Sequence, residues 1–519
     1  AAPWNPPSQL QLQLSAETSG LSPHPAMDGR PSHHFLVVSF PAQGHINPTL
    51  QLAKRFARLG ARVTFSTSVS AHRRLFPSTS PQPTPPPPPP SEGEAAPPLL
   101  CYSPYSIGEY DDDPVWDSID QHHFMSQLKA VGSRTLAELA RDLAEAGCPV
   151  TCVVYNFLVP WAADVARDLG LPSSLYWIQP AAVFGVYYHY FHGYADLVAS
   201  LREEPFSPVD LPGLPPLRIR DLPSLLVSES REDGVFLPAL EELFRCLDRH
   251  ICEAAAAEEE EEGKKRRSKV RVLVNTFDAL EHDALIRAVD AMELVPVGPT
   301  LPSAYTDGVD GADTAYGSDL FQPDAKEGYT GWLDSKADKS VVYVSFGSFS
   351  VLSARQREEI CLALEGSGRP YLWVARGNRD GVAEGESGMV VEWCSQMEVL
   401  SHRAVGCFVT HCGWNSTLES MACGVPTVGL PQWTDQATNA RLAEASWGTG
   451  VRAEANTEGL LEAVELRRCL DLVMGDEIRR NAAAWREKAR EAVKQGGSSD
   501  RNLRAFVLQV HAPTLSTCD

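Results

Sequence analysis

Val405-Gly-Cys-Phe-Val-Thr-His-Cys-Gly-Trp-Asn-Ser-Thr-Leu-Glu419 is the stretch whose reading decides the fold. Val405–Thr410 is an apolar run of strand length. A turn containing Gly413 follows. Asn415 and Ser416, residue types favoured as N-caps, open a helix that stops before Gly424. A strand entering a helix through a tight turn is half of a βαβ unit, which implies a parallel sheet covered on both faces. The start of such a helix also attracts anions, through amide N–H groups without intrahelical partners and the positive end of the dipole. Taken alone, the turn fits an ordinary capped helix equally well.

The same rhythm extends outward. Ser340–Phe346 reads as a strand ending at Gly347, Ala354–Gly366 as an amphipathic helix, and Tyr371–Ala375 and Val425–Leu430 as further strands. In the first half, Phe35–Pro41 reads as a strand and Ala42–Pro48 as a loop punctuated by Gly44 and Pro48. Thr49–Leu59 has helical apolar spacing closed by Gly60, and Ala61–Thr67 is a second strand. Pro149–Tyr155, a helix near Pro160–Leu169, Leu175–Trp177 and Val270–Asn275 continue the pattern. The expected class is α/β: two Rossmann-like parallel-sheet lobes facing a cleft, with ligands beyond the carboxyl ends of the strands.

The length of 519 residues agrees, since a single core stops growing at roughly 250–300 residues. Residues 1–26, before Met27, read as a disordered appendage. An N-terminal lobe is expected over 27–299, a linker over 300–330 and a C-terminal lobe over 331–495. Residues 496–519 are expected to return as a helix to the N-terminal lobe. The proline-rich stretch 77–98, with Pro85–Pro90 unbroken, reads as a spacer. Glu258–Glu262 and the basic run after it cancel in charge and read as a solvated helix end.

The net charge of −22 argues against nucleic acid, which wants a basic patch. No run approaches the roughly 18 apolar residues of a membrane span. Twelve cysteines without a CxxC pair, and no secretory signal, point to reduced thiols in the cytoplasm. A monomer is expected.

The chemistry gathers between Trp393 and Gln436. His411 can donate to an anion, and Glu419, one turn inside the helix from Asn415, can accept the two vicinal hydroxyls of a ribose. Trp393 offers a flat face for a base. Asp435 and Gln436, at the end of the loop from Pro431, suit sugar hydroxyls. Arg403 is the sole lysine or arginine in this stretch. A diphosphate here would therefore be held by amide N–H groups, His411 and a helix end.

On these residues, Trp393–Gln436 resembles the signature box of plant UDP-dependent glycosyltransferases (glycosyltransferase family 1), which adopt the two-lobed GT-B fold. The match includes Trp393, Gln396, His411, Gly413, Trp414, Asn415, Ser416, Glu419, Pro426, Asp435 and Gln436. The resemblance implies roles. Trp393 would stack on uracil and the Cys394 main chain would meet the base edge. Gln396 and Glu419 would hold the ribose. His411, Asn415, Ser416 and Ser348 would contact the diphosphate, and Trp414, Asp435 and Gln436 the sugar. The final Gln implies glucose over galactose. No metal and no cofactor are implied, UDP-glucose being a co-substrate.

The resemblance also assigns the general base to His45, in Pro41-Ala-Gln-Gly-His-Ile-Asn-Pro48. By itself, a loop histidine capping the next helix is the simpler reading. The family's base would take a proton from the acceptor hydroxyl, which attacks the anomeric carbon opposite UDP, with inversion. Many members orient that histidine with an aspartate, and the matching position here is Asn156. An asparagine cannot stabilise an imidazolium by charge, though it can still hold the ring by hydrogen bonding, so an acidic acceptor is expected, a phenol or a carboxylic acid. Leu175–Ala181 with Tyr187-Tyr188 resembles the subgroup of anthocyanin 5-O-glucosyltransferases and enzymes making glucose esters of crocetin or hormone acids. Tyr176–Tyr190 could wall an acceptor pocket or pack in the core.

Competing motifs are weaker. Gly448-Thr-Gly-Val-Arg-Ala453 fits G-x-G-x-x-A but leads into no clear helix. The adjacent pairs His33-His34 and His122-His123 do not share a helix face. Two other function classes remain open: a nucleotide-sugar-binding protein with little or no turnover, motivated by Asn156, and a nicotinamide oxidoreductase, which lacks its glycine fingerprint.

Overall fold

The computed structural model describes residues 33–76, 99–112, 119–228, 233–257, 269–314, 328–347, 352–375 and 387–510. The appendage 1–26, the proline stretch 77–98, the acidic and basic runs, most of the linker's second half and Ser348 lie outside the described residues. The chain forms two units. One comprises Ala1–Tyr176, Pro302–Ser318 and Arg501–Asp519, the other Trp177–Leu301 and Asp319–Asp500.

In the first unit β1 (His34–Val38), β2 (Arg62–Ser66), β3 (Leu100–Tyr102), β4 (Cys152–Asn156) and β5 (Ser173–Trp177, ending at the unit's boundary) are parallel, in the order β3-β2-β1-β4-β5. Phe35 to Val38 are almost wholly buried, as strands covered on both faces require. Val38 pairs with Tyr155, which sets the loop after β1 beside the end of β4.

The helix after β1 runs Gln43–Arg58 and so begins six residues before the expected start, with Pro48 inside it. A proline disfavours helix in the residue before it and deletes one intrahelical bond. Burial outweighs that cost, because Ile46 and Pro48 carry the apolar stripe of Leu50, Ala53 and Phe56 back toward β1. The consequence is functional: His45 lies in the first turn of a helix, not in a loop. Phe506, in the closing helix Ser498–Gln509, has its ring 6.2 Å from that of Phe35 and 6.1 Å from that of Phe56. The described linker residues are latched by Asp313. Its carboxylate meets Lys54 at 2.6 Å, Arg58 at 3.0 Å and the Ser303 N–H at 2.9 Å. Burial would raise the Asp313 pKa, but Lys54, Ser303 and Arg58 hold it below the usual value.

The second unit contains a short antiparallel pair, β6 (Pro208–Val209) with β7 (Leu217–Arg218), and a parallel pair, β8 (Val270–Val274) with β9 (Met292–Pro296). Its larger sheet holds β10 (Val341–Ser345), β11 (Tyr371–Val374), β12 (Gly388–Val391), β13 (Val405–Thr410), β14 (Thr427–Gly429) and β15 (Gly450–Arg452). All six are parallel, in the order β12-β11-β10-β13-β14-β15. Val342, Val344, Val409, Ile360, Leu364 and Leu470 are fully buried around it. Each such side chain contributes roughly 1.5–3 kcal/mol of transfer free energy. The stretch Gly448–Ala453 is the entry to β15, not a dinucleotide loop. Tyr176, Trp177, Phe184 and Tyr187 are wholly buried, so core packing accounts for them. The eleven cysteines among the described residues are free thiols. Among the described residues no helix is long and apolar enough to cross a membrane.

Candidate functional site

Strand register assembles the first part of the site. Ser345 pairs with Thr410, and Thr410 with Gly429, so β10, β13 and β14 end level with one another. The loops leaving them therefore gather: Gly347 after β10, His411–Gly413 after β13, and Pro431–Asp435 after β14. Open parallel sheets bind ligands at such carboxyl ends.

The helix after β13 spans Trp414–Cys423, and its N-cap is Gly413, with no side-chain cap bond. Asn415 and Ser416 thus sit inside the first turn rather than ahead of it. The reason is close approach. A Cβ on Gly413 would lie 2.5 Å from His411 Nε2, and one on Gly347 would lie 2.8 Å from the same atom. The imidazole edge is wedged between two glycine backbones at the mouth of a helix dipole. Burial lowers the His411 pKa to about 4, against a raising contribution from the Ser345 main chain. A ring so lowered is neutral at pH 7 and is not a standing cation. Cys412, between them, holds a left-handed φ of 63°. The turn presents main-chain amides and a helix N-terminus, and Ser348 falls outside the described residues.

A buried polar cluster lies one turn further in. Gln396 Nε2 donates to Ser416 Oγ at 2.8 Å and to Glu419 Oε2, and its Oε1 accepts from Tyr343 Oη at 3.2 Å. The thiol of Cys394 lies 3.4 Å from the same hydroxyl. Ser416 and Glu419 are three apart on one helix face, as their spacing requires. Sequence reading paired Gln396 with Glu419 and missed Tyr343. The one signal was a hydroxyl-bearing residue inside the apolar run of β10. Trp393 follows β12, half-buried, and Asn415 is partly buried in the helix's first turn.

The loop after β14 supplies Asp435 and Gln436, both buried. Asp435 Oδ1 accepts from Thr434 Oγ1 at 2.9 Å and Oδ2 from Asn439 Nδ2 at 2.8 Å. Burial raises the Asp435 pKa, opposed by these two donors. Gln436 Oε1 accepts from the main-chain N–H of Gln432 and Trp433, at 2.8 and 2.9 Å. Those two bonds fix the amide's orientation and turn its NH₂ the other way. The Trp414 indole is engaged inside its own unit. Its indole N–H donates to the Asn275 carbonyl at 2.7 Å. The loop is braced from outside. Thr434, at φ 54°, exchanges two bonds with Ser224: Thr434 N–H to Ser224 Oγ at 2.8 Å, and Ser224 N–H to the Thr434 carbonyl at 2.9 Å. Sequence reading had no signal for Ser224.

His45 and Asn156 come together in the first unit. The His45 ring lies 5.1 Å from Phe40 and 4.9 Å from Phe157, centroid to centroid. Burial lowers its pKa from 6.5 to about 3, while the nearby Asn156 amide favours the protonated ring. Nδ1 is buried and makes no hydrogen bond among the described residues. Asn156 makes two further bonds. Its Oδ1 accepts from the Phe40 N–H at 3.2 Å and its Nδ2 donates to Ser39 Oγ at 3.1 Å. It latches the loop after β1 to the end of β4, and it also lies close enough to the imidazole for its amide to favour the protonated ring. The imidazole thus sits neutral in an aromatic setting.

Residues 318–485 match the family model described as "UDP-glucoronosyl and UDP-glucosyl transferase". The chain is 45% identical over 494 residues to a crocetin glucosyltransferase, labelled chloroplastic, from Gardenia jasminoides, covering 91% of this chain and 96% of the relative. It is 45% identical over 492 residues to anthocyanidin 3-O-glucoside 5-O-glucosyltransferase 1 from Perilla frutescens, covering 92% and 98%. The crystal structure of Os79 from O. sativa in complex with UDP superposes with a TM-score of 0.74 at 32% identity, covering 92% of this chain and all of that one.

Proposed function

Because the chain belongs to the plant UDP-dependent glycosyltransferases, with their GT-B fold, we propose that Trp393–Gln436 binds UDP-glucose and that His45 is the general base. The reaction is inverting transfer of glucose to a small acceptor. The observation that carries the site reading is the single cluster of Gln396, Ser416 and Glu419 beside a turn that presents His411 and a helix N-terminus. A diol-accepting carboxylate one turn away from an anion site has the spacing of a nucleoside diphosphate. Trp393 stacks on the base, and Cys394 borders its edge. Asn415, Ser416 and Ser348 assist at the diphosphate. Asp435, Gln436 and the Trp414 main chain meet the sugar. No resident metal is needed for this grip, since amide dipoles and neutral donors supply it. We place the protein in the cytoplasm, as a monomer, with lobes 27–299 and 331–495 as the binding halves for acceptor and donor.

The acceptor is a phenol, a flavonoid or a carboxylic acid. A base with a pKa near 3 cannot draw a proton from a simple alcohol as readily as from an acidic hydroxyl. The direct test incubates the protein with UDP-glucose and a panel of such acceptors, following UDP release. Products are then treated with mild alkali, which cleaves glucose esters and spares glucosides. UDP release with none of the panel would favour the binding-protein reading.

Asn156→Asp sharpens the test. A carboxylate can accept from the Phe40 N–H and from protonated Nδ1 together, so it stabilises the imidazolium. The rate on simple alcohols is expected to rise at least several-fold, and the rate on carboxylic acids to stay within about twofold. Equal changes on both would refute the acidic-acceptor reading.

A further inference from the structure

Asn439 belongs to no part of the site as read so far, yet it touches two of them. It is fully buried in the helix Gln436–Arg441. Its Nδ2 donates to the Cys412 carbonyl at 2.8 Å and to Asp435 Oδ2 at 2.8 Å. Cys412 is the left-handed residue of the anion turn, and Asp435 stands in the sugar loop. One amide nitrogen therefore spans the segments after β13 and after β14. Thr417 Oγ1 reaches the same Cys412 carbonyl only at 3.4 Å. The other side of the amide has a different character, since Oδ1 is buried without a hydrogen-bond partner among the described residues. A buried unpaired acceptor is destabilising, and an apolar side chain of similar shape would avoid that cost. The two bonds from Nδ2 are what the asparagine supplies in return.

We propose that Asn439 is a positioning residue for the donor, holding Asp435 at a set distance from the anion turn so that the glucose hydroxyls and the diphosphate are gripped together. The proposal rests on the reading of Trp393–Gln436 as the UDP-sugar site. With Thr434 on Oδ1, Asn439 on Oδ2 and its own main-chain N–H also acting on the carboxylate, Asp435 still keeps lone pairs for sugar hydroxyls. Donation from Asn439 also favours the ionised carboxyl that burial disfavours. The other groups facing Asp435 are Thr434 on its own loop and the Cys412 thiol, which burial keeps protonated. Losing Asn439 should therefore raise the Asp435 pKa, and the ionised form should be lost at a higher pH.

The experiment measures affinities of UDP, UDP-glucose and UDP-galactose by titration calorimetry, for the wild type, Asn439→Leu and Asn439→Ala, between pH 5 and 8. Leucine keeps the branched shape, though it is bulkier, and alanine keeps the fold accessible if leucine does not pack. The glucose-over-galactose preference is expected to fall on the order of tenfold in both variants, and the acid limb of UDP-glucose binding to move to higher pH. A merely structural residue would lower thermal stability and leave the preference and the limb in place, and that result overturns the proposal. A wild type that binds neither UDP nor UDP-glucose overturns the donor-site reading itself, and this proposal with it.

Discussion

Replacing His45 by alanine is expected to lower kcat on phenolic acceptors by a factor on the order of 10²–10⁴, the usual contribution of a positioned general base. UDP binding should be unchanged, because the residues read as the donor site all belong to the other unit. The loss should be smaller on carboxylic acids. Their pKa is about 4, so they are already ionised at neutral pH and have no proton to give. A phenol, at about 10, must lose one as it attacks. The pH dependence carries a second signature. In the free protein, burial between Phe40 and Phe157 holds His45 near pKa 3, well below 6.5. The base form is then complete at pH 5 and above. The wild-type kcat/KM, which reports the free enzyme, should show no acid limb near 6.5 from this group. A variant with wild-type kcat on phenols would remove His45 from the mechanism. A limb at 6.5 that vanishes in His45→Ala would place the ring in water instead of among aromatics.

Much of this architecture was legible because its strands are covered on both faces. Val405–Thr410 and Ala354–Gly366 fall where the apolar pattern sets them, to the residue. The errors came where a local rule met a tertiary one. Pro48 argued for a loop around His45, and the buried stripe of Ile46 and Leu50 prevailed. Asn415 and Ser416 carried the cap signal, yet Gly413 is the cap, because His411 leaves room there for no Cβ. Asn156 was noticed for the residue it replaces. That its amide is tied to Ser39 and Phe40 is a fact of register between β1 and β4, which no local pattern encodes. Asn439 and Ser224 were invisible for the same reason, since each acts on a segment that only strand order brings near. The charge of −22 argued against nucleic acid without bearing on a diphosphate, whose expected partners are amides, a neutral histidine and a helix end.

Gly413→Ala is expected to weaken UDP-glucose binding and lower kcat/KM on the order of a hundredfold, although alanine can adopt the local backbone. Gly413 has φ −57° and ψ 146°, an extended conformation open to any residue, so strain is not the cause. Contact is. The new Cβ would stand 2.5 Å from His411 Nε2 and 3.2 Å from Cδ2, well inside van der Waals separation. The ring has little room to retreat, because the Gly347 backbone approaches the same edge. Overpacking of this kind costs roughly 1–3 kcal/mol, and here it displaces the turn that aims a helix N-terminus at the diphosphate. A misplacement of about 1 Å at such a point is enough for a hundredfold loss. Gly331→Ala is the control, since a Cβ at that position would meet nothing within 4 Å and the residue sits in the helix Tyr329–Asp334. It should leave binding unchanged. The cause is isolated by a double-mutant cycle with His411→Ala. Without the imidazole, the alanine methyl at 413 has the space it lacked, so Gly413→Ala should cost less than about threefold in that background. An equal cost in both backgrounds would mean that the ring is not what the glycine accommodates.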